Sequence, residues 1–94
     1  MIILINIPPM LRDYVGGQRS VEVLANSPRT AISGLCKTYD KLSEILLNKE
    51  GKLLAFVNLF NNSSKLSTDE CSQDLDMPLK EGDRLTIMLA VAGG

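Results

Sequence analysis

Histidine is absent from the 94 residues, and its absence removes a broad range of chemistry. Without an imidazole there is no His-based general acid or base, no Ser-His-Asp or Cys-His nucleophilic system, no HExxH zinc site and no histidine-capped zinc finger. Cysteine is scarce as well. Cys36 and Cys71 are the only two, and they lack the CxxC spacing of a metal clip or a thioredoxin-like redox pair, so a disulfide scaffold is not expected. Cys36 falls on the apolar side of a predicted helix and reads as a small buried hydrophobe. Cys71 sits in a polar loop with no histidine to activate it and reads as an incidental thiol. Neither sign of charge dominates: Lys plus Arg total 10 and Asp plus Glu total 11, for a net charge of -1. That balance gives no electrostatic reason to expect a nucleic acid or an anionic membrane as partner. Long apolar runs are missing too, since residues 1–5 and 87–92 fall far short of the roughly 18 residues of a membrane span. Met1 leads directly into a strand-like run without a basic n-region or a small-residue cleavage site, so the expectation is no secretory signal and a cytoplasmic location.

What is present is the composition of a folding chain. Apolar residues make up 45% and charged residues 22%, too apolar for intrinsic disorder. The length suits one core, hence a single domain over residues 1–94. Residues 1–7 are rich in Ile and Leu and stop at Pro8-Pro9, because proline offers no amide hydrogen to a sheet ladder. Gly16-Gly17 signals a turn. Val21 and Val23 then alternate with Ser20 and Glu22 over residues 20–24, the period of a strand with one buried face, so the first two strands are expected to form a hairpin.

Ser27-Pro28 reads as a helix start, with the serine hydroxyl as cap and proline at the first helical position. Ala31, Ile32, Leu35, Cys36 and Tyr39 recur at helical spacing and predict a stripe facing the core, with Arg29, Lys37 and Lys41 in water. Leu42, Ile45 and Leu46 suggest a second short helical piece, and residues 48–52 break the pattern around Gly51. Residues 53–60, with Phe56, Val57 and Phe60, predict a third strand closed by Asn61-Asn62-Ser63-Ser64. Residues 65–80 read as an irregular excursion anchored by Leu66, Leu75, Met77 and Leu79. Its acids, Asp69, Glu70, Asp74 and Asp76, have neither EF-hand spacing nor a central loop glycine and read as solvated rather than as a calcium site. Lys80-Glu81-Gly82-Asp83 is a tight turn into a last strand in which Leu85, Ile87 and Leu89 alternate with Arg84, Thr86 and Met88. Hairpin, helix, strand, loop and strand together make an α+β pattern.

After that strand come Ala90-Val91-Ala92-Gly93-Gly94. A terminus of this kind is thin and carries no charge except the backbone carboxylate. It could thread a narrow channel and bring that carboxylate to a nucleotide without a Cβ beside it. The run Leu79-Lys80-Glu81-Gly82-Asp83-Arg84-Leu85-Thr86-Ile87, followed by Ala90-Val91-Ala92-Gly93-Gly94, resembles the carboxyl-terminal signature of the MoaD/ThiS family of ubiquitin-like sulfur carriers. Phe56-Val57-Asn58 is similar to that family's central strand, and residues 27–39 are similar to its helix. The likeness follows element order over the whole chain and is specific over the last sixteen residues or so.

The resemblance implies a β-grasp fold: a mixed sheet covered by one main helix, the final strand central beside the first, and residues 90–94 as a free tail. It implies a carrier or co-substrate rather than an enzyme. An E1-like adenylating enzyme of the MoeB/ThiF type would use ATP and Mg²⁺, which this chain does not itself bind, to adenylate Gly94. Sulfur would then convert the adenylate to a thiocarboxylate. Ala90, Val91, Ala92 and Gly93 would occupy the partner's channel. The sulfur acceptor would be an enzyme such as a pyridoxal-phosphate-dependent cysteine synthase or the large subunit of molybdopterin synthase. A ubiquitin-like modifier joined through Gly94 to lysines of other proteins is the alternative, and a passive interaction module with a dispensable tail is a third possibility. Two departures from the family stand out: residues 60–64 lack the acidic residue often found after the third strand, and the loop around Cys71 aligns with no family feature.

Overall fold

The computed structural model describes residues 1–69 and 71–90. Its first strand, β1 (Ile2–Asn6), places Ile3 and Ile5 on a fully buried face and leaves Ile2 exposed on the other. Pro8-Pro9 ends the strand as expected. The chain then winds into a 3-10 helix, Pro9–Val15, closed by Gly16 in the left-handed region at φ 69°. Leu11 and Val15 of that helix are buried, so the segment between the hairpin strands adds to the core, which the sequence pattern did not suggest. Strand β2 (Ser20–Leu24) pairs antiparallel with β1, Ile3 opposite Val23 and Ile5 opposite Val21.

Helix α1 (Pro28–Thr38) begins where the sequence indicated. The Thr30 amide donates to the Ser27 hydroxyl oxygen at 3.2 Å, and the Ser27 amide donates to Thr30 Oγ1 at 3.0 Å. This reciprocal cap satisfies two amides that the first helical turn cannot pair internally. Ala31, Ile32, Leu35 and Cys36 form the buried stripe, while Tyr39 lies half-buried just beyond the helix. The short helix α2 (Asp40–Leu46) follows at once and buries Leu42 and Leu46.

The third strand starts later than the hydrophobicity implied. Strand β3 is Val57–Asn61. Leu53 instead makes an isolated bridge to Leu47, and Ala55 and Phe56 lie in a turn, with Phe56 exposed. At the other end Asn61 still belongs to the strand, and Asn62 makes the reversal at φ 57°, a left-handed conformation that asparagine tolerates. Residues 64–66 are not irregular: Ser64–Leu66 forms an edge strand, β4, antiparallel to β3. Of the expected loop anchors, Leu75 and Leu79 are buried and Leu66 is half-buried, but Met77 is exposed and anchors nothing. Leu75 sits in a 3-10 turn, Asp74–Asp76. That turn is tied to α1 by the exposed Arg29–Asp76 pair at 2.7 Å.

Strand β5 (Arg84–Leu89) completes a five-stranded sheet in the order β2-β1-β5-β3-β4. It runs parallel to β1 and antiparallel to β3. The last strand is therefore central and beside the first, the mixed arrangement that the family resemblance implies. One buried cluster joins Ile3, Ile5, Val57, Leu59, Leu85 and Ile87 of the sheet to Ala31, Ile32, Leu35 and Cys36 of α1. Among the described residues no helix covers the opposite face of the sheet, where Ile2, Leu24 and Met88 are exposed.

Candidate functional site

The way β5 is held fixes the position of Ala90, which follows it in the chain. At its start, the turn at residues 80–83 requires Gly82 at φ 91°, a conformation costly for any residue with a Cβ. The Asp83 carboxylate accepts from the Lys80 amide at 2.9 Å, from Asn61 Nδ2 at 3.3 Å and from Asn62 Nδ2 at 3.2 Å. The Arg84 amide donates to Asn62 Oδ1 at 3.1 Å, and the Asn62 amide to the Arg84 carbonyl at 2.7 Å. These donors hold the Asp83 carboxyl below the usual carboxylate range, the Lys80 amide first among them. Asn61 and Asn62, in the segment that departs from the family pattern, thus work with Asp83 to lock the entry of β5. In the sequence alone Asn61 and Asn62 read only as turn formers.

Along β5, Leu85 and Ile87 are buried toward α1, whereas Arg84 and Met88 face outward and Thr86 is half-buried. The register is set on both sides: Asn6 opposite Thr86 on β1, Val57 opposite Leu89 on β3. Asn6 Nδ2 also donates to Thr86 Oγ1 at 3.1 Å across the open face. The last fixed point is the Ala90 amide, which donates to the Phe56 carbonyl at 2.8 Å. Of the tail residues, Ala90 is exposed and lies just past the end of the central strand β5. Val91, Ala92, Gly93 and Gly94 lie outside the described residues.

The open face beside this exit is part apolar. Leu24 is 76% exposed, Ile2 60% and Met88 51%, and Phe56, whose carbonyl holds Ala90, is also exposed. Register places Ile2 opposite Leu24 at one end of that face and Met88 toward the tail end. Between them lie Glu22 and Arg84, on either side of half-buried Leu4. A surface of scattered large apolar side chains among a few charges suits a protein partner better than a small molecule.

The remaining candidates fall away. Cys36 is buried in the core, and burial pushes its thiol up, so it stays protonated near neutrality. Cys71 is exposed. Among the described residues no three His, Cys, Asp or Glu side chains are grouped to hold a metal ion, and no helix is long and apolar enough to cross a membrane.

No family model matches the chain. Curated proteins do: the sulfur carrier protein CysO of Mycobacterium tuberculosis is 36% identical over 96 aligned residues, covering all of both chains. The chain belongs to the MoaD/ThiS-type ubiquitin-like sulfur carriers. Solved structures of that kind agree. A chain of the Amycolatopsis orientalis BexX/CysO complex matches this carrier with a TM-score of 0.80 at 33% identity, over 98% of this chain and 99% of that one. The crystal structure of Mycobacterium tuberculosis CysO matches with a TM-score of 0.77 at 34% identity, over 95% and 99%. The small archaeal modifier protein 1 of Haloferax volcanii, at a TM-score of 0.80 but 18% identity over 96% and 98%, shares the fold.

Proposed function

We propose that the Gly94 carboxylate is the cargo site of this carrier. An E1-like enzyme of the MoeB/ThiF type joins that carboxylate to AMP, using ATP and Mg²⁺ that belong to the enzyme. Sulfide then displaces AMP and leaves a terminal thiocarboxylate; where a protein persulfide attacks instead, the acyl disulfide it forms is cleaved by a thiol, which is oxidised to a disulfide as the thiocarboxylate is released. The logic is that of acyl activation: a carboxylate is a poor acyl donor, AMP is a good leaving group, and a thiocarboxylate keeps its sulfur nucleophilic for the next enzyme. The reading is supported above all by the full-length likeness to a sulfur carrier protein, in a chain whose central strand is held to Ala90, only four residues before Gly94. Ala90, Val91, Ala92 and Gly93 serve as the thin stalk that enters the partner's channel. The body contributes recognition through its open sheet face and carries out no catalysis. The A. orientalis CysO crystallised with BexX, which supports a protein partner for this fold. The working location is the cytoplasm, where ATP-dependent activation takes place.

The test is intact-mass analysis of protein isolated from its native host, with a thiol-specific alkylating label. Exchange of one oxygen for sulfur at the carboxyl terminus is expected. Deleting Gly94, or adding a residue after it, should abolish acyl-adenylate formation while the melting temperature holds. An extended protein that is still adenylated would overturn the assignment. Isopeptide-linked Gly-Gly remnants on other proteins, with no thiocarboxylate on the free chain, would transfer the reading to a protein modifier.

The acceptor is proposed to be a pyridoxal-phosphate-dependent cysteine synthase, ahead of the large subunit of molybdopterin synthase. Thiocarboxylated protein offered to each enzyme with its own activated substrate separates the two. A cysteine adduct at Gly94 supports the first, and dithiolene product from the second mixture alone refutes it.

A further inference from the structure

Beyond the terminal carboxylate, the strand pairing near Ala90 carries a second assignment, about how a partner reads a tail so poor in side chains. Amides of β1 alternate in direction. Ile7 donates to the Arg19 carbonyl, and the Met1 carbonyl accepts from Ala25, so odd-numbered residues of β1 face β2 and even-numbered ones face β5. On β5 the Arg84 carbonyl accepts from Asn62 and the Ala90 amide donates to Phe56, so even-numbered residues face β3 and odd-numbered ones face β1. With Asn6 opposite Thr86, the next β1 residue due to face β5 is Pro8.

Pro8 cannot donate, and its carbonyl already accepts from the Leu11 amide at 2.9 Å, the bond that starts the 3-10 helix. The ladder between β1 and β5 therefore ends at Asn6 and Thr86, while β5 runs on to Leu89 and, on its other side, stays bonded through Ala90. Leu89 is left with its N–H and C=O turned to the side that β1 has vacated, and among the described residues neither group has a backbone partner. Among the described residues the end of β5 is thus bonded on one side and open on the other.

We propose that this open side of β5 is a strand-addition site, filled by an extended segment of the activating enzyme that bonds to the N–H and C=O of Leu89. The assignment rests on the carrier reading, and three points favour that occupant. From Ala90 to Gly94 a chain of four further residues reaches at most about 14 Å, so an enzyme whose nucleotide meets Gly94 is brought close to the end of β5 where Leu89 lies. Covering the free N–H and C=O without bonding to them would strand two polar groups away from water. Finally, Ala90-Val91-Ala92-Gly93-Gly94 offers small or absent side chains, so the backbone is what remains to be recognised, as in other strand-addition complexes.

The natural Cys71 provides a junction at which a synthetic segment of residues 71–94 can be ligated. One product carries an ester in place of the Leu89 amide. A control carries an ester in place of the Ile87 amide, which the register turns toward the Asn6 carbonyl inside the sheet. Each is assayed by ATP–pyrophosphate exchange with the activating enzyme of the same organism, below its melting temperature. The Leu89 ester should raise KM about tenfold, whereas the Ile87 ester should lower the melting temperature and leave KM within twofold. An unchanged KM for the Leu89 ester, or an equal rise for both, overturns strand addition and leaves the carrier reading in place. No exchange with the unmodified chain would remove both.

Discussion

Replacing Cys36 separates the carrier's core from its chemistry. Cys36 is 7% exposed within the cluster that joins α1 to the sheet. In Cys36→Ser a hydroxyl replaces the thiol at an apolar site, at a cost of about 1–3 kcal/mol. A bond from that hydroxyl to the Ile32 carbonyl one turn earlier can offset part of this, which favours the lower half of the range. For a chain of this length, 1 kcal/mol moves the melting temperature by about 4–8 °C, so a fall of about 5–15 °C is expected. Cys36→Ala, which strands no hydroxyl, should fall less. The pH dependence has a definite sign. Burial raises the folded-state thiol pKa, so the stability it contributes is complete below the unfolded value of about 8.5 and is lost as pH rises through the folded value. The wild type should lose stability on the alkaline side, and Cys36→Ala should lack that component. Urea unfolding between pH 7 and pH 10 measures both, and intact-mass analysis after incubation with the activating enzyme, ATP and a sulfur source measures loading. A Cys36→Ser protein that is folded but cannot be loaded would refute the placement of sulfur on Gly94, and an alkaline slope identical in Cys36→Ala would refute the buried thiol as its source.

Cys71→Ser should leave both the melting temperature and sulfur loading unchanged, since the thiol is exposed; the same mass assay checks this. Asp83 is held below the usual carboxylate range by the Lys80 amide and by Asn61 and Asn62. Its contribution is therefore present above about pH 3.9 and is lost as pH falls through the folded value, and Asp83→Asn should flatten that acid limb in urea titrations. Leu85→Ala, at a fully buried position of the central strand, should cost about 2–5 kcal/mol, read from the urea midpoint; a loss under 1 kcal/mol would contradict the packing. Ser27→Ala removes the α1 cap and should cost about 0.5–2 kcal/mol, with amide exchange at Thr30 accelerated.

Elements that carry a clean period were legible in the sequence. Strand β2, the buried stripe of α1 and the alternation of β5 each follow from spacing alone, because each has one wet face and one dry face. The sites that failed are those where tertiary pairing overrides composition. Residues 53–56 are as apolar as a strand, yet Leu53 is used for a bridge to Leu47 and Phe56 for a turn. Ser64–Leu66 is too short and too polar to announce itself, and it is a strand only because β3 offers it an edge. The Pro9–Val15 3-10 helix hid behind two prolines that correctly signalled the end of β1. At the site, the tail motif was legible as sequence. The lock made by Asn61, Asn62 and Asp83 was not, because residues some twenty positions apart meet there only once β3 and β5 are paired.

The parallel pairing of β1 with β5 also bears on how the molecule is made. Asn6 and Thr86, 80 residues apart in the chain, meet at the centre of the sheet. Until residues 84–89 have been synthesised, β1 and β3 have no strand between them, and the apolar face under α1 lacks Leu85 and Ile87. Closing so long a loop is a late, slow step of folding. A ribosome that stops early therefore releases a chain open at its middle, exposed to proteases and chaperones. The last residues needed for folding directly precede those proposed to carry the sulfur, so few truncated chains that lack the stalk can fold well enough to compete for the activating enzyme. In this way the topology doubles as a check that synthesis has run through β5 to the start of the stalk.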